Sequence, residues 1–242
     1  MYLYINRSAS GGRVSAFEQH VRDWRTENGG DSRVKNGQEK SMGDSKVLRR
    51  AVFLDRDGTL NKDTGYVHRK EDWQWLPGVP EALKRLHAVG YVLVVVSNQS
   101  GIARGMYGHE DLRLLEQWVN ADLAAKNAVV DAWFYCSHLP EITGPCQCRK
   151  PEPGLILQAA RELDLDLANS WMIGDRVRDV QAGLAAGCQS ILLHPDGSSN
   201  KDDDEVPEGV AVVPHLPAAT VRILAPRMRQ LRTARMLEKM KE

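Results

Sequence analysis

Four short apolar segments, each followed by a polar cluster, constrain what this chain can fold into more than any other feature. They span 51–54, 91–96, 132–135 and 171–174. Strands that are buried on both faces of a sheet have such unbroken apolar runs. Helical patterns separate the segments, so the sequence predicts a parallel sheet with helices on both faces. Ligands of such sheets bind at the carboxyl ends of the strands, where these polar clusters lie.

The helices and the remaining strands are predicted from periodicity and from proline and glycine positions. Pro77 and Pro80 open the first helix, and Gly90 closes it. The predicted fold class is therefore α/β, a Rossmann-like three-layer sandwich with a central parallel sheet. Only about twenty residues separate Leu60 from the first helix, too few for a cap domain. Further helices are predicted at about 110–126, 154–163, 177–186 and 216–224, and further strands at 190–193 and 210–213.

The composition is that of a globular protein, with 42% hydrophobic and 26% charged residues. We predict one folded domain over 51–225. Residues 1–50 are rich in Gly, Ser, Asn and charge, which predicts a flexible N-terminal extension. Residues 226–242 form a basic, helix-compatible C-terminal tail.

Charge and hydropathy argue against several classes of partner. The 32 Lys and Arg residues equal the 32 Asp and Glu residues, so the whole chain carries no charge signal for nucleic acid or acidic membranes. No segment approaches the ~20 apolar residues that a membrane helix needs, and the first residues lack the pattern of a signal peptide. We therefore expect a cytoplasmic monomer that acts on a small molecule, with no nucleic-acid or membrane partner.

Two carboxylates directly follow the first strand, in Asp55-Arg-Asp57-Gly-Thr. A sharp turn at Gly58 allows both side chains to enter one crevice. A carboxylate can attack phosphorus to form an aspartyl phosphate, and a second acid can protonate the leaving alcohol and then activate water. We predict that Asp55 is the nucleophile and that Asp57 carries the proton.

Two carboxylates beside a phosphate require cations, and the other strand ends offer them. Asp175 follows the strand at 171–174 and can complete a magnesium site with Asp55 and the Asp57 carbonyl. Lys150 can balance the phosphoryl charge, and Ser97 can donate a hydrogen bond to it. We predict Ser97 and Lys150 as catalytic residues.

A second metal site is indicated by cysteine and histidine spacing. Cys136, His138, Cys146 and Cys148 supply three thiolates and one imidazole, enough for a closed tetrahedral zinc site. The alternative is three reduced cysteines in a surface loop. A small zinc loop is therefore predicted beside the sheet.

The residues from Ala51 to Leu193 resemble the haloacid dehalogenase superfamily. Its four motifs match Asp55-Arg-Asp-Gly-Thr, Ser97-Asn, Lys150 and Gly174-Asp175, and further segments are similar to its sugar-bisphosphate phosphatases. The resemblance implies a magnesium-dependent phosphatase acting on a phosphorylated sugar, and its relatives carry the zinc loop. It also implies the following substrate-binding residues: Asp63, Thr64, Gly65, Tyr66, Ser97, Asn98, Gln99, Ser100, Arg149, Lys150 and Arg176.

Three other functions stay open at this point. A histidinol-phosphate phosphatase shares the zinc loop and the Arg-Lys-Pro segment by resemblance. A polynucleotide 3′-phosphatase could use the basic tails, and an inactive scaffold would have no reason to keep the four motifs together. We expect Arg149 and Arg104 to favour a second phosphate and to repel the cationic amine of histidinol phosphate.

Overall fold

The structure, a computed structural model, describes residues 3–5, 48–195 and 205–226. Seven strands form one sheet in the order β1-β4-β3-β2-β5-β6-β7. All neighbouring pairs are parallel except β1 with β4, which is antiparallel. The strands are β1 (Leu3–Ile5), β2 (Ala51–Leu54), β3 (Val92–Asn98), β4 (Ala132–Cys136), β5 (Trp171–Gly174), β6 (Gln189–Leu193) and β7 (Ala211–Val213).

Helices cover both faces of this sheet. They are α1 (Val79–Ala88), α2 (His109–Ala125), the single turn α3 (Pro140–Thr143), α4 (Gly154–Leu163), α5 (Val177–Ala185) and α6, which is described over 216–226. Among the described residues, no helix combines the length and the apolar composition that a bilayer crossing would need.

The core has two layers because successive side chains of the central strand point to opposite faces. Val52 and Leu54 of β2 pack with α1, α2 and α6, whereas Ala51 and Phe53 pack with α4 and α5. All four side chains are fully buried. A strand enclosed on both faces gains burial from every residue, which explains the unbroken apolar run.

The predicted fold class is confirmed, with helix and strand bounds within about two residues of those read from periodicity. The connection 55–78 contains only one helical turn, Lys70–Asp72, so no cap domain is inserted there. Sequence analysis did not predict β1, because three residues followed by a polar stretch show no strand periodicity. Most of the predicted extension, 6–47, and of the predicted tail, 227–242, lies outside the described residues.

Candidate active site

The carboxyl ends of β2, β3 and β5 meet at a cavity of about 200 Å³. The β2 backbone is in register with both neighbours, since Leu54 pairs with Val95 of β3 and with Ile173 of β5. The polar residues that end these strands or directly follow them are therefore brought to one edge of the sheet. The cavity is lined by Asp55, Asp57, Asp63, Gly65, Tyr66, Ser97, Asn98, Gln99, Ser100, Tyr107, Lys150, Asp175, Arg176 and Arg178.

Asp55, the predicted nucleophile, is one of the residues that line this cavity. Only 6% of the residue is exposed, and its Oδ1 lies 2.7 Å from Lys150 Nζ. Burial raises the pKa of Asp55 to about 6, against the opposing effect of the Lys150 charge. Lys150 thus stabilises the ionised carboxylate that a nucleophile must present.

Lys150 is held by three acceptors. Its ammonium contacts Asp55 and Asp179 at 2.7 Å each and donates to the Val96 carbonyl oxygen at 2.8 Å. The side-chain amide of Asn98 pairs with the Lys150 backbone in both directions, at 3.0 and 3.1 Å. Desolvation alone would lower the pKa of Lys150, but Asp179 and Asp55 raise it, so the ammonium stays charged.

Three side chains hold the carboxylate of Asp57 in place. Arg56 donates to both oxygens at 2.8–3.1 Å, Asn61 Nδ2 donates to Oδ1 at 3.0 Å, and Gln99 Nε2 donates to Oδ2 at 3.0 Å. The Arg56 side chain is itself fully buried and also donates to the Val67 carbonyl oxygen. Burial would raise the pKa of Asp57, but Arg56 and these hydrogen bonds hold it below its ordinary value.

The site has the composition of a divalent-cation site. One carboxylate oxygen from each of Asp55, Asp175 and Asp179 lies within 4.8 Å of the others. Asp175 Oδ1 is buried and has no hydrogen-bond partner among the described residues. Burial, together with Asp55 and Asp179, raises the pKa of Asp175 to about 8. Clustered oxygen ligands with an unpartnered atom fit Mg²⁺, which prefers carboxylate oxygens.

The Cys and His residues predicted to bind metal form a second cluster beside the sheet. Cys148 Sγ lies 3.2 Å from Cys136 Sγ, 3.5 Å from Cys146 Sγ and 3.3 Å from His138 Nδ1. Cys136 Sγ lies 3.7 Å from both Cys146 Sγ and His138 Nδ1. A tetrahedral ion about 2.3 Å from each thiolate would place them about 3.8 Å apart. These free thiols and the imidazole therefore form a cluster that could hold a metal ion.

Most, but not all, of the predicted substrate residues line the cavity. Thr64 and Arg149 do not. The Arg149 guanidinium instead donates to the His138 carbonyl oxygen at 3.2 Å, on the side of the thiol cluster. The exposed side chain of Arg104 is also absent from the cavity lining.

Three residues of the site were missed by sequence analysis: Tyr107, Arg178 and Asp179. Asp179 is the third residue of α5, where an acidic side chain that accepts from the N-cap N–H is a recognisable helix-start signal. Tyr107 and Arg178 carry no such signal, because their places depend on how a loop and a helix terminus fold against the sheet.

The sheet, the paired acids after β2 and the lysine bound to one of them define a phosphatase of the haloacid dehalogenase (HAD) class. Comparison with known proteins agrees. The sequence model of the family described as HAD-hydrolase-like matches residues 147–219. A crystal structure of D,D-heptose 1,7-bisphosphate phosphatase from B. bronchiseptica, complexed with magnesium and phosphate, has a TM-score of 0.67 and 35% identity; the match covers 73% of this chain and 99% of that one.

Curated relatives narrow the class further. D-glycero-beta-D-manno-heptose-1,7-bisphosphate 7-phosphatase of Pasteurella multocida is 42% identical, over 70% of this chain and 97% of its own length. The Yersinia pestis enzyme of the same name is 47% identical, over 59% of this chain and 79% of its own. This chain belongs to the heptose-bisphosphate phosphatase family of the HAD superfamily.

Proposed function

We propose that this protein hydrolyses D-glycero-D-manno-heptose 1,7-bisphosphate at the 7-position, in the biosynthesis of heptose for lipopolysaccharide or nucleotide-activated sugars. The names of the curated relatives specify the β-anomer, and we extend that preference to this chain. The observation that carries the proposal is 42% identity across 97% of a named 7-phosphatase, together with Asp55, Asp57 and Lys150 around one cavity.

In the proposed first half-reaction, a carboxylate oxygen of Asp55 attacks the 7-phosphorus. The bond from phosphorus to the sugar oxygen breaks, and that oxygen takes a proton from Asp57. In the second half-reaction, Asp57 accepts a proton from water as that water attacks phosphorus. The bond from phosphorus to the Asp55 oxygen breaks, which releases inorganic phosphate and regenerates the Asp55 carboxylate. The low pKa of Asp57 suits its role as the base that accepts a proton from water. Its role as the acid in the first half-reaction requires that Asp57 is protonated when substrate binds.

Charge on the transferring phosphoryl group is balanced by the groups closest to Asp55. Lys150 lies 2.7 Å away, and the buried hydroxyl of Ser97 lines the same cavity. We propose that Mg²⁺ is held by Asp55, Asp175 and the Asp57 carbonyl, where it would lower the repulsion between the substrate and the carboxylates.

We propose zinc as the metal of the thiol cluster. Three thiolates and one imidazole leave no open position for substrate, so the site would be structural. Arg149 and Lys150 directly follow Cys148, so a closed zinc site would fix the segment that carries the catalytic lysine.

A second phosphate requires a second set of cations. We propose that Arg149 binds the 1-phosphate after turning from the His138 carbonyl oxygen, and that Arg176 and Arg178, which line the cavity, add positive charge. A cytoplasmic location, a monomeric state and the lack of nucleic-acid or membrane partners stay predictions.

The decisive experiment compares phosphate release from heptose 1,7-bisphosphate and from histidinol phosphate. We expect kcat/KM to favour the bisphosphate at least about tenfold, roughly 1.4 kcal/mol. Arg149→Ala should narrow that ratio by weakening the bisphosphate reaction, and Asp55→Asn should abolish turnover of both. A preference for histidinol phosphate would refute the substrate assignment, and full activity of Asp55→Asn would refute the mechanism.

A further inference from the structure

Gln99 has a side-chain environment that differs from that of a substrate-binding residue. The residue is only 2% exposed although it lines the cavity. Its Nε2 donates to Asp57 Oδ2 and to Ser97 Oγ at 3.0 Å each, and its Oε1 accepts from the Tyr107 hydroxyl at 2.6 Å. Both ends of the amide are therefore engaged by protein groups.

The orientation of this amide decides what it offers its neighbours. With Nε2 toward Asp57, it donates to a carboxylate, which can only accept when ionised. If the amide turned over, Oε1 would face Asp57 Oδ2 and repel it. The two orientations occupy almost the same space, so packing alone does not select between them.

Asp57 and Tyr107 together select one orientation. The ionised Asp57 carboxylate can only accept, so it requires the amide nitrogen on its side, and the Tyr107 phenol stabilises that orientation by donating to Oε1. Burial raises the pKa of Tyr107 to about 12, so its proton stays in place. The ring is held between His68, stacked on it with centroids 4.7 Å apart, and Gly101, where a Cβ would lie 2.2 Å from Tyr107 Cε1.

The same orientation also directs the Ser97 hydroxyl. Because Ser97 Oγ accepts from Gln99, its own proton is available for another acceptor, and none is present among the described residues. An oxygen of a bound phosphoryl group is the acceptor that the cavity would provide.

We propose that Tyr107 and Gln99 act together as positioning residues, which orient the Asp57 carboxylate and aim the Ser97 proton at the transferring phosphoryl group. The inference rests on the proposed phosphatase chemistry but not on the identity of the sugar. It changes the predicted role of Gln99 from binding substrate to holding the two groups that act on it.

The test uses Tyr107→Phe, which keeps the ring and removes only the hydroxyl. With p-nitrophenyl phosphate as substrate, we expect kcat to fall about five- to twentyfold and KM to change less than twofold. The matched control is Tyr91→Phe, which should leave kcat unchanged: Tyr91 has the same 7% exposure but lies before β3, where its ring contacts Arg50. Wild-type kcat in Tyr107→Phe would overturn the proposal.

A double-mutant cycle separates this role from simple packing. Gln99→Leu removes the amide, so adding Tyr107→Phe to it should lower kcat by less than twofold further. Equal losses from Tyr107→Phe in both backgrounds would show that the hydroxyl acts independently of Gln99, and would overturn the proposal.

A second readout requires no turnover. In ¹⁵N NMR spectra of the full chain, we expect the Gln99 side-chain amide protons to exchange slowly with solvent in wild type and at least tenfold faster in Tyr107→Phe. Equal exchange in both proteins would overturn the proposal. Lack of wild-type phosphatase activity would instead refute the proposed function, and this measurement would still test the orientation of the amide.

Discussion

At the scale of single residues, two glycines allow carboxylates to approach the backbone. A Cβ at Gly58, where φ is +82°, would lie 2.2 Å from Asp175 Oδ2, and a Cβ at Gly174 would lie 2.3 Å from Asp179 Oδ2. Both distances are shorter than any stable contact between these atoms. The acidic cluster beside Asp55 therefore depends on missing side chains as much as on the acids themselves.

Gly58→Ala tests this dependence. We expect at least a tenfold loss of Mg²⁺ affinity, measured by titrating activity with Mg²⁺, because the new methyl group displaces Asp175. Gly187→Ala is the control, since Gly187 also has a positive φ of +87° but a Cβ added there would meet nothing within 4 Å. It should cost about 1–2 kcal/mol of stability through backbone strain and leave Mg²⁺ affinity unchanged. Equal affinities in the two variants would contradict the steric argument.

At the scale of elements, the segment 146–150 belongs both to the thiol cluster, through Cys146 and Cys148, and to the active site, through Lys150. Cys136 ends β4 in register with Asn98, the last residue of β3. Asn98 pairs with the backbone of Lys150, which lies two residues after Cys148. A metal ion bound by the thiol cluster would therefore stabilise the position of Lys150 in the active site.

Cys146→Ser should remove zinc and lower the unfolding temperature more than it lowers kcat of the protein that remains folded. Elemental analysis and thermal unfolding measure the two effects. Cys188→Ser, at a buried cysteine outside the cluster, should keep the zinc. Protein purified without chelator that contains no zinc would contradict the assignment of the metal.

At the scale of the whole molecule, a buried carboxyl group makes stability depend on pH. Glu116 of α2 is only 4% exposed, and burial raises its pKa from 4.5 to about 8 against the opposing effects of Tyr135 and Arg56. Between these two pH values the folded chain retains a proton that the unfolded chain has released. The contribution of the neutral Glu116 carboxyl group to stability is therefore complete below about pH 4.5 and is lost as the pH rises toward 8.

Glu116→Gln removes this titration. We expect the variant to gain stability relative to wild type as the pH rises from 5 to 8.5, measured by urea unfolding at each pH. Asp122→Asn on the same helix is the control: Lys126 lowers the pKa of Asp122, so its effect should not vary over this range. A stability difference for Glu116→Gln that is independent of pH would contradict the buried-carboxyl explanation.

Local sequence determined the architecture and most of the candidate site. Apolar periodicity is a property of neighbouring residues, so the alternation of strands and helices, and the placing of Asp55, Ser97 and Asp175 at strand ends, could be predicted without coordinates. The tertiary structure alone decided that Asp179 contacts Lys150 and that the Tyr107 hydroxyl meets Gln99. Those contacts depend on side-chain directions and on loop paths set by packing between distant segments, which no local pattern in the sequence encodes.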